Sequence, residues 1–295
     1  MPMIMKGNRS AVVERIEQNV KLGMFNKKVE GNDPVLSSEE EKYILEKFSK
    51  NRKLFLFKFK EIIARSFMNL MTISFGNNID IIGLNNIRTM KSGCIITSNH
   101  FSPLENLAIR KMILKSQLKR VNIVSQATNL KMKGALGFLM KYDFILPIGK
   151  SISYQNNVFL PMLAEEIGKG NNILIYPEQE MWFNYRKPRP LKRGAYYYAC
   201  KLHVPVIPCF VKIEVLHKKE NALFYKTKYI LYILDPIYPG KNKNIRAASI
   251  EMMHRDYQAK VDAYEKAYGK KLDYKFDYDD IAGYIPSEPV SLETI

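Results

Sequence analysis

The chain has 295 residues, 46% of them hydrophobic and 25% charged, which excludes a disordered chain and suits one large α/β domain or two small ones with a substantial core. A formal net charge of +17 favours polyanionic partners: nucleic acid, anionic lipid headgroups, acidic carriers or phosphorylated substrates. Three scattered cysteines, Cys94, Cys200 and Cys209, carry neither a disulfide framework nor a zinc spacing and point to a reducing compartment.

In chain order, the opening MPMIMKGNRS has too short an apolar stretch for a signal peptide. No run of about 18 apolar residues follows anywhere, so a spanning helix is not expected. The expectation is a cytoplasmic protein that meets a membrane, if at all, peripherally. Residues 9–23 are weakly helical, and Asn32-Asp33-Pro34 breaks the chain. Ser37-Ser38-Glu39-Glu40-Glu41 then starts a helix, with acids favoured in its first turn. The helical pattern runs to about Phe75, its apolar face bordered by Lys53, Lys58, Lys60 and Arg65.

After Asn77-Asn78 short apolar runs alternate with helical stretches. Strands are predicted at 79–82, 94–97, 121–124, 144–148, 173–176, 206–211 and 229–234, and helices at 103–115, 130–141, 156–167, 194–201 and 246–268. This alternation predicts an α/β fold, a mixed β-sheet flanked by helices and preceded by N-terminal helices. The chain divides into an N-terminal helical segment at 1–76, expected to face a membrane, an α/β domain at 77–270 and an acidic, aromatic tail at 271–295, expected to be loop or a surface strap.

Two readings compete at TSNHFSPLEN, residues 97–106. Ser102-Pro103-Leu104-Glu105 forms a capping box, with proline at the first helical position and glutamate reaching back to the cap amide. That explains Ser102, Pro103 and Glu105 without chemistry. Alternatively, His100 in a strand-to-helix loop projects from the sheet edge, and Glu105 holds one imidazole nitrogen, leaving the other free as a base. The two readings are compatible. Glu178 also follows a strand, where ligands of such sheets gather.

Four blocks in order then resemble the glycerolipid acyltransferases typified by bacterial lysophosphatidate acyltransferase. They are Ile79-Asp80-Ile81-Ile82-Gly83 followed by Ser98-Asn99-His100 with Glu105, a loose block around 137–148, Ile175-Tyr176-Pro177-Glu178, and Val204-Pro205-Val206-Ile207-Pro208. The family has aspartate where this chain has Glu105, and Phe-Pro-Glu where it has Tyr176-Pro177-Glu178. The resemblance implies acyl transfer from acyl-CoA or acidic acyl-carrier protein, as donor substrate rather than cofactor, to a hydroxyl of a lipid acceptor. His100 would be the general base and Glu105 its orienter, with no acyl-enzyme. Asn99, Tyr176, Pro177 and Glu178 would lie at the substrate.

The departures matter as much. Glu178 is followed by Gln179, Glu180 and Met181, where the family has glycine, a hydroxyl residue and arginine. The arginine ending the second block falls at Ile148, with Lys150 two positions on. Both phosphate-reading arginines are thus missing or moved, which argues against the usual lysophosphatidate acceptor. Gln179 and Glu180 would instead hydrogen-bond a sugar or polyol, as in a glycolipid. Arg186, Lys187, Arg189 and Lys192, in a proline-held basic segment, would supply an anion site from another direction or form a solvated loop.

The helix at about 51–75 and the stretch 130–141 carry apolar residues flanked by lysines, suited to an anionic membrane surface or to packing on the sheet. A non-catalytic lipid- or carrier-binding protein of the same fold stands as the alternative function. Nucleic-acid binding is not expected, since no recognition motif accompanies the dispersed basic residues. No metal centre is expected either, because His203, His217 and His254 lack ligand spacing.

Overall fold

The computed structural model describes residues 9–31, 34–91, 93–240 and 244–286. The Asn32-Asp33 break, the first eight residues and the tail beyond 286 lie outside them. Helices α1 (Arg9–Lys21), α2 (Ser38–Asn51) and α3 (Phe55–Gly76) precede β1 (Ile79–Ile82), β2 (Ile95–Thr97), α4 (Asn106–Lys115), β3 (Val121–Gln126), α5 (Gly134–Tyr142) and β4 (Ile145–Ile148). A short α6 (Ile152–Tyr154) runs through a π-turn into α7 (Leu160–Gly168). Then come β5 (Asn172–Ile175), α8 (Gly194–Leu202), β6 (Val206–Lys219), β7 (Tyr225–Ile233) and α9 (Ile245–Tyr268). The serine-acid helix start is a true capping box: Ser37 caps α2 and Glu40 reaches back to its amide.

The seven strands form one mixed sheet in the order β1-β7-β6-β2-β5-β3-β4. The five strands from β6 to β4 run parallel, while β7 is antiparallel to β6 and carries β1 with it. The predicted mixed α/β sheet is therefore borne out. Adjacent residues on the central strands enter opposite apolar layers. Ile96, Leu174 and Ile207 pack with α3 and α4, whereas Ile95, Ile173 and Val206 pack with α7, α8 and α9. Period-two alternation with both faces buried is what a helix-covered parallel sheet requires. Gly83 opens the connection after β1 in left-handed backbone, and a Cβ there would sit 2.2 Å from the Ile233 carbonyl oxygen.

The three N-terminal helices separate into two places. Phe48 of α2 and Phe57 of α3 join the apolar layer of Ile95, Ile173 and Val206. α1 buries Val12, Val13, Ile16 and Val20 with Trp182, Phe183, Tyr185 and the tail residue Ile281. The tail is a strap: Ile281 and Tyr284 make isolated antiparallel bridges to Tyr185 and Phe224. Along α3, residues Phe57, Ala64, Met68 and Thr72 face inward at helical spacing. The opposite stripe of Phe55, Phe59, Ile62, Phe67, Leu70 and Ile73 is exposed, Phe55 by 86%. Among the described residues no helix is long and apolar enough to cross a membrane.

Candidate active site

Strand register builds the site. Thr97 of β2 pairs with Ile175 of β5, so the chain leaving each strand emerges at the same edge, side by side. Asn99 is buried and clamps the departing loop to β6: its side chain donates to the Val211 carbonyl at 3.0 Å and accepts from the Val211 amide at 2.8 Å. This is a backbone-mimicking bridge, away from the cavity wall.

His100 follows. Its Nδ1 is hydrogen-bonded to Glu105 Oε1. The other carboxylate oxygen accepts from the amides of Phe101 and Ser102, at 2.5 and 2.6 Å. The imidazole is 22% exposed and Glu105 only 2%. With Nδ1 committed, Nε2 is the nitrogen left for a substrate proton. The capping reading is corrected in one respect. Glu105 does reach back to the Ser102 amide, but residues 103–105 form a turn and α4 starts at Asn106 without a side-chain cap. The proline occupies a turn because the carboxylate gathers the loop amides there, not a helix end.

Glu178 is also buried, but its role is different. Its carboxylate accepts from the His100 amide at 3.1 Å and pairs with Arg189, whose Nη2 lies 2.8 Å away. Arg189 is 1% exposed and also donates to the carbonyls of Phe25, His100 and Glu180. Its guanidinium lies 4.7 Å from the Trp182 ring centroid. This is an internal clamp around the His100 backbone; neither residue lines the cavity. Lys187 is buried against Asp280 at 2.8 Å and Asp273 at 3.2 Å. Arg186 pairs with Asp279 at 2.8 Å. The acidic tail thus engages Arg186 and Lys187, two of the four basic residues considered as an anion site or a solvated loop. Lys150 is exposed, its amide held by Glu41, and it is absent from the cavity wall.

The remaining candidates do meet at a cavity of about 880 Å³, lined by His100, Glu105, Tyr176, Pro177, Gln179, Glu180 and Lys192. Its wall also carries the apolar side chains of Met68, Ile123, Leu136, Leu139, Met140 and Ile145. Glu180 accepts from Gln126 at 2.9 Å. Gln179 has φ 72, a left-handed conformation that glycine adopts without strain. Tyr176 stacks on His100, with ring centroids 4.2 Å apart and planes 11° apart. Burial, reinforced by the Glu105 charge, raises the pKa of its phenol well above the ordinary value. Arg9 and Glu30, ion-paired at 2.8 Å, also line the cavity. Nothing local in the sequence marks them, since they arrive through the packing of α1. Burial likewise keeps the thiols of Cys94 and Cys209 protonated, the latter pushed up to about 12. Among the described residues no cluster has the composition of a metal site.

Fold and site together define an α/β protein with a histidine–carboxylate pair at parallel strand ends, opening on a largely apolar cavity. Residues 78–212 match the family model described as Acyltransferase. No curated protein matches. A similar solved structure is the crystal structure of the 1-acyl-sn-glycerophosphate (LPA) acyltransferase PlsC from Thermotoga maritima, at 15% identity and a TM-score of 0.46, covering 80% of this chain and 84% of that one.

Proposed function

We propose that this protein is an O-acyltransferase that moves a fatty acyl group from an acyl thioester, on CoA or a carrier protein, to a hydroxyl of a lipid acceptor. The observation that carries this is the His100–Glu105 pair on the wall of a cavity whose largely apolar lining suits a hydrocarbon chain. His100 Nε2 takes the acceptor's hydroxyl proton as that oxygen attacks the thioester carbonyl. Glu105 holds the tautomer and stabilises the imidazolium. Collapse of the tetrahedral oxyanion expels the thiolate, which recovers the proton from His100, leaving an ester and a free thiol. Gln126, Gln179 and Glu180 offer amide and carboxylate groups at the cavity, a chemistry suited to the hydroxyls of a polyol or sugar headgroup. The exposed apolar stripe of α3, with its flanking lysines, suits an anionic membrane surface from which the lipid is drawn.

The test is thiol release from palmitoyl-CoA in the presence of extracted membrane lipid. His100→Ala is expected to slow release about a hundred- to ten-thousand-fold. Release at the wild-type rate from that variant would remove His100 from the reaction.

A further inference from the structure

We propose that Gln179 selects the acceptor headgroup: its side-chain amide, held on the cavity wall by a strained turn, reads the hydroxyls of an uncharged sugar or polyol. The inference rests on the reading of the cavity as that of an acyltransferase.

Gln179 is the centre of a γ-turn. Its φ is 72°, and the Glu180 amide donates across it to the Glu178 carbonyl at 3.0 Å. A γ-turn with positive φ is the rare, strained mirror of the common form. A Cβ adds to the strain by crowding the neighbouring carbonyl, whereas glycine adopts this backbone freely. Both flanks are pinned, so the turn cannot relax. On one side the Glu178 carboxylate is held by Arg189 and by the His100 amide, and its carbonyl also accepts from Asn26 at 3.1 Å. The Gln179 amide closes back on the Tyr176 carbonyl at 3.1 Å. On the other side the Glu180 carbonyl accepts from the same Arg189. Glycine would keep every one of these bonds, since residue 179 enters them through its main chain alone. A long side chain held in strained backbone is therefore not explained by the fold, and such residues gather at ligand contacts.

The position fits a contact. Gln179 is exposed on the wall of the cavity that holds His100. Among the described residues no protein group hydrogen-bonds its side chain, whereas the adjacent Glu180 accepts from Gln126 at 2.9 Å. One carboxamide both donates and accepts, which matches a hydroxyl, itself donor and acceptor. A phosphate dianion only accepts and would leave the amide oxygen without a donor. The Glu180 carboxylate beside it also opposes an anion. Of the cations on the wall, Arg9 is paired with Glu30 at 2.8 Å and Lys131 with Glu40 at 2.9 Å. Lys133 and Lys192 are the other two, and they would be the readers of a phosphate.

Two variants of the full chain separate backbone from amide. Gln179→Gly relieves the turn and removes the amide. Gln179→Ala removes the amide and keeps the strain. The melting midpoint should rise by about 2 °C in Gln179→Gly and stay near wild type in Gln179→Ala. Acyl transfer from palmitoyl-CoA is then measured to palmitoyl galactosylglycerol and to lysophosphatidate. The wild type should favour the galactosyl acceptor. In both variants the ratio of kcat/KM between the two acceptors should fall about tenfold, while KM for palmitoyl-CoA holds. An unchanged ratio overturns the inference. So does a wild type that favours lysophosphatidate or leaves the galactosyl lipid unacylated, or a Gln179→Gly protein no more stable than Gln179→Ala. Thiol release with membrane lipid that survives His100→Ala defeats the acyltransferase reading instead. Release lost in His100→Ala, together with any of those outcomes, defeats this inference alone.

Discussion

Glu178 shows how burial changes a residue's assignment. At a strand end, in a block resembling acyltransferases, it reads as a substrate contact. In the structure it is a buried anion whose charge is met by Arg189, eleven residues on. The same arginine ties together Phe25, His100 and Glu180 through their carbonyls. Breaking such a pair leaves an uncompensated buried charge, at a cost of about 3–5 kcal/mol. Arg189→Met should therefore lower unfolding stability by that amount in urea. The double variant Arg189→Met with Glu178→Gln should recover part of it, since no net charge remains buried. Equal stability of the single variant and the wild type would show that the clamp carries little. His100 and Glu105, by contrast, were legible in the sequence. Five positions of chain link them, and the loop amides that fix Glu105 belong to the same turn.

At the scale of elements, α9 reaches back under the site from beyond the acyltransferase match. Its Asp256 accepts from Thr97 Oγ1 at 2.5 Å and from Tyr196 at 2.6 Å. Lys260 Nζ lies 2.6 Å from Asp256 and donates to Thr97 at 3.0 Å. All four side chains are buried, and Thr97 is the last residue of β2, three before His100. Lys260→Met removes the cation and leaves Asp256 charged in the core. The expected loss is again about 3–5 kcal/mol, measured by denaturant unfolding. Replacing the pair together by apolar residues of similar volume should restore most of it. The helix itself was predictable from its periodicity. Its polar contacts with β2 were not, because residues 97 and 256 are brought together only by the sheet and its covering layer.

For the whole molecule, charge and apolar exposure act together. The net charge of +17 supplies long-range attraction to anionic surfaces, and the outer stripe of α3 supplies apolar area. The stripe contributes little to the fold, since its side chains are largely outside the core. Phe55→Ser, Phe59→Ser and Ile62→Ser combined should therefore leave the unfolding midpoint in place. Flotation with phosphatidylglycerol vesicles should fall at least about tenfold, since each lost side chain removes up to roughly 1.5–3 kcal/mol of burial. Flotation unchanged by the triple substitution would remove the α3 stripe from the proposed membrane surface. α1 takes no part in that surface. Its apolar face is spent on Trp182 and the C-terminal strap, and Asn26, just beyond it, donates to the carbonyls of Glu178 and Pro190.

The sequence by itself determined what short-range geometry and periodicity dictate. That covers the alternating strands and helices, the helix start at Ser37, the amphipathic α3, and the pairing of His100 with Glu105 across one loop. Only the tertiary structure decided what depends on register and burial. It paired Glu178 with Arg189, bound Lys187 and Arg186 to the tail, and carried Arg9 and Glu30 to the cavity. It also laid Tyr176 on His100. Charges and ring faces distant in sequence acquire partners only when strand pairing sets which loops emerge together. Whether a charge then meets solvent, substrate or a buried counter-ion follows from the packing around it.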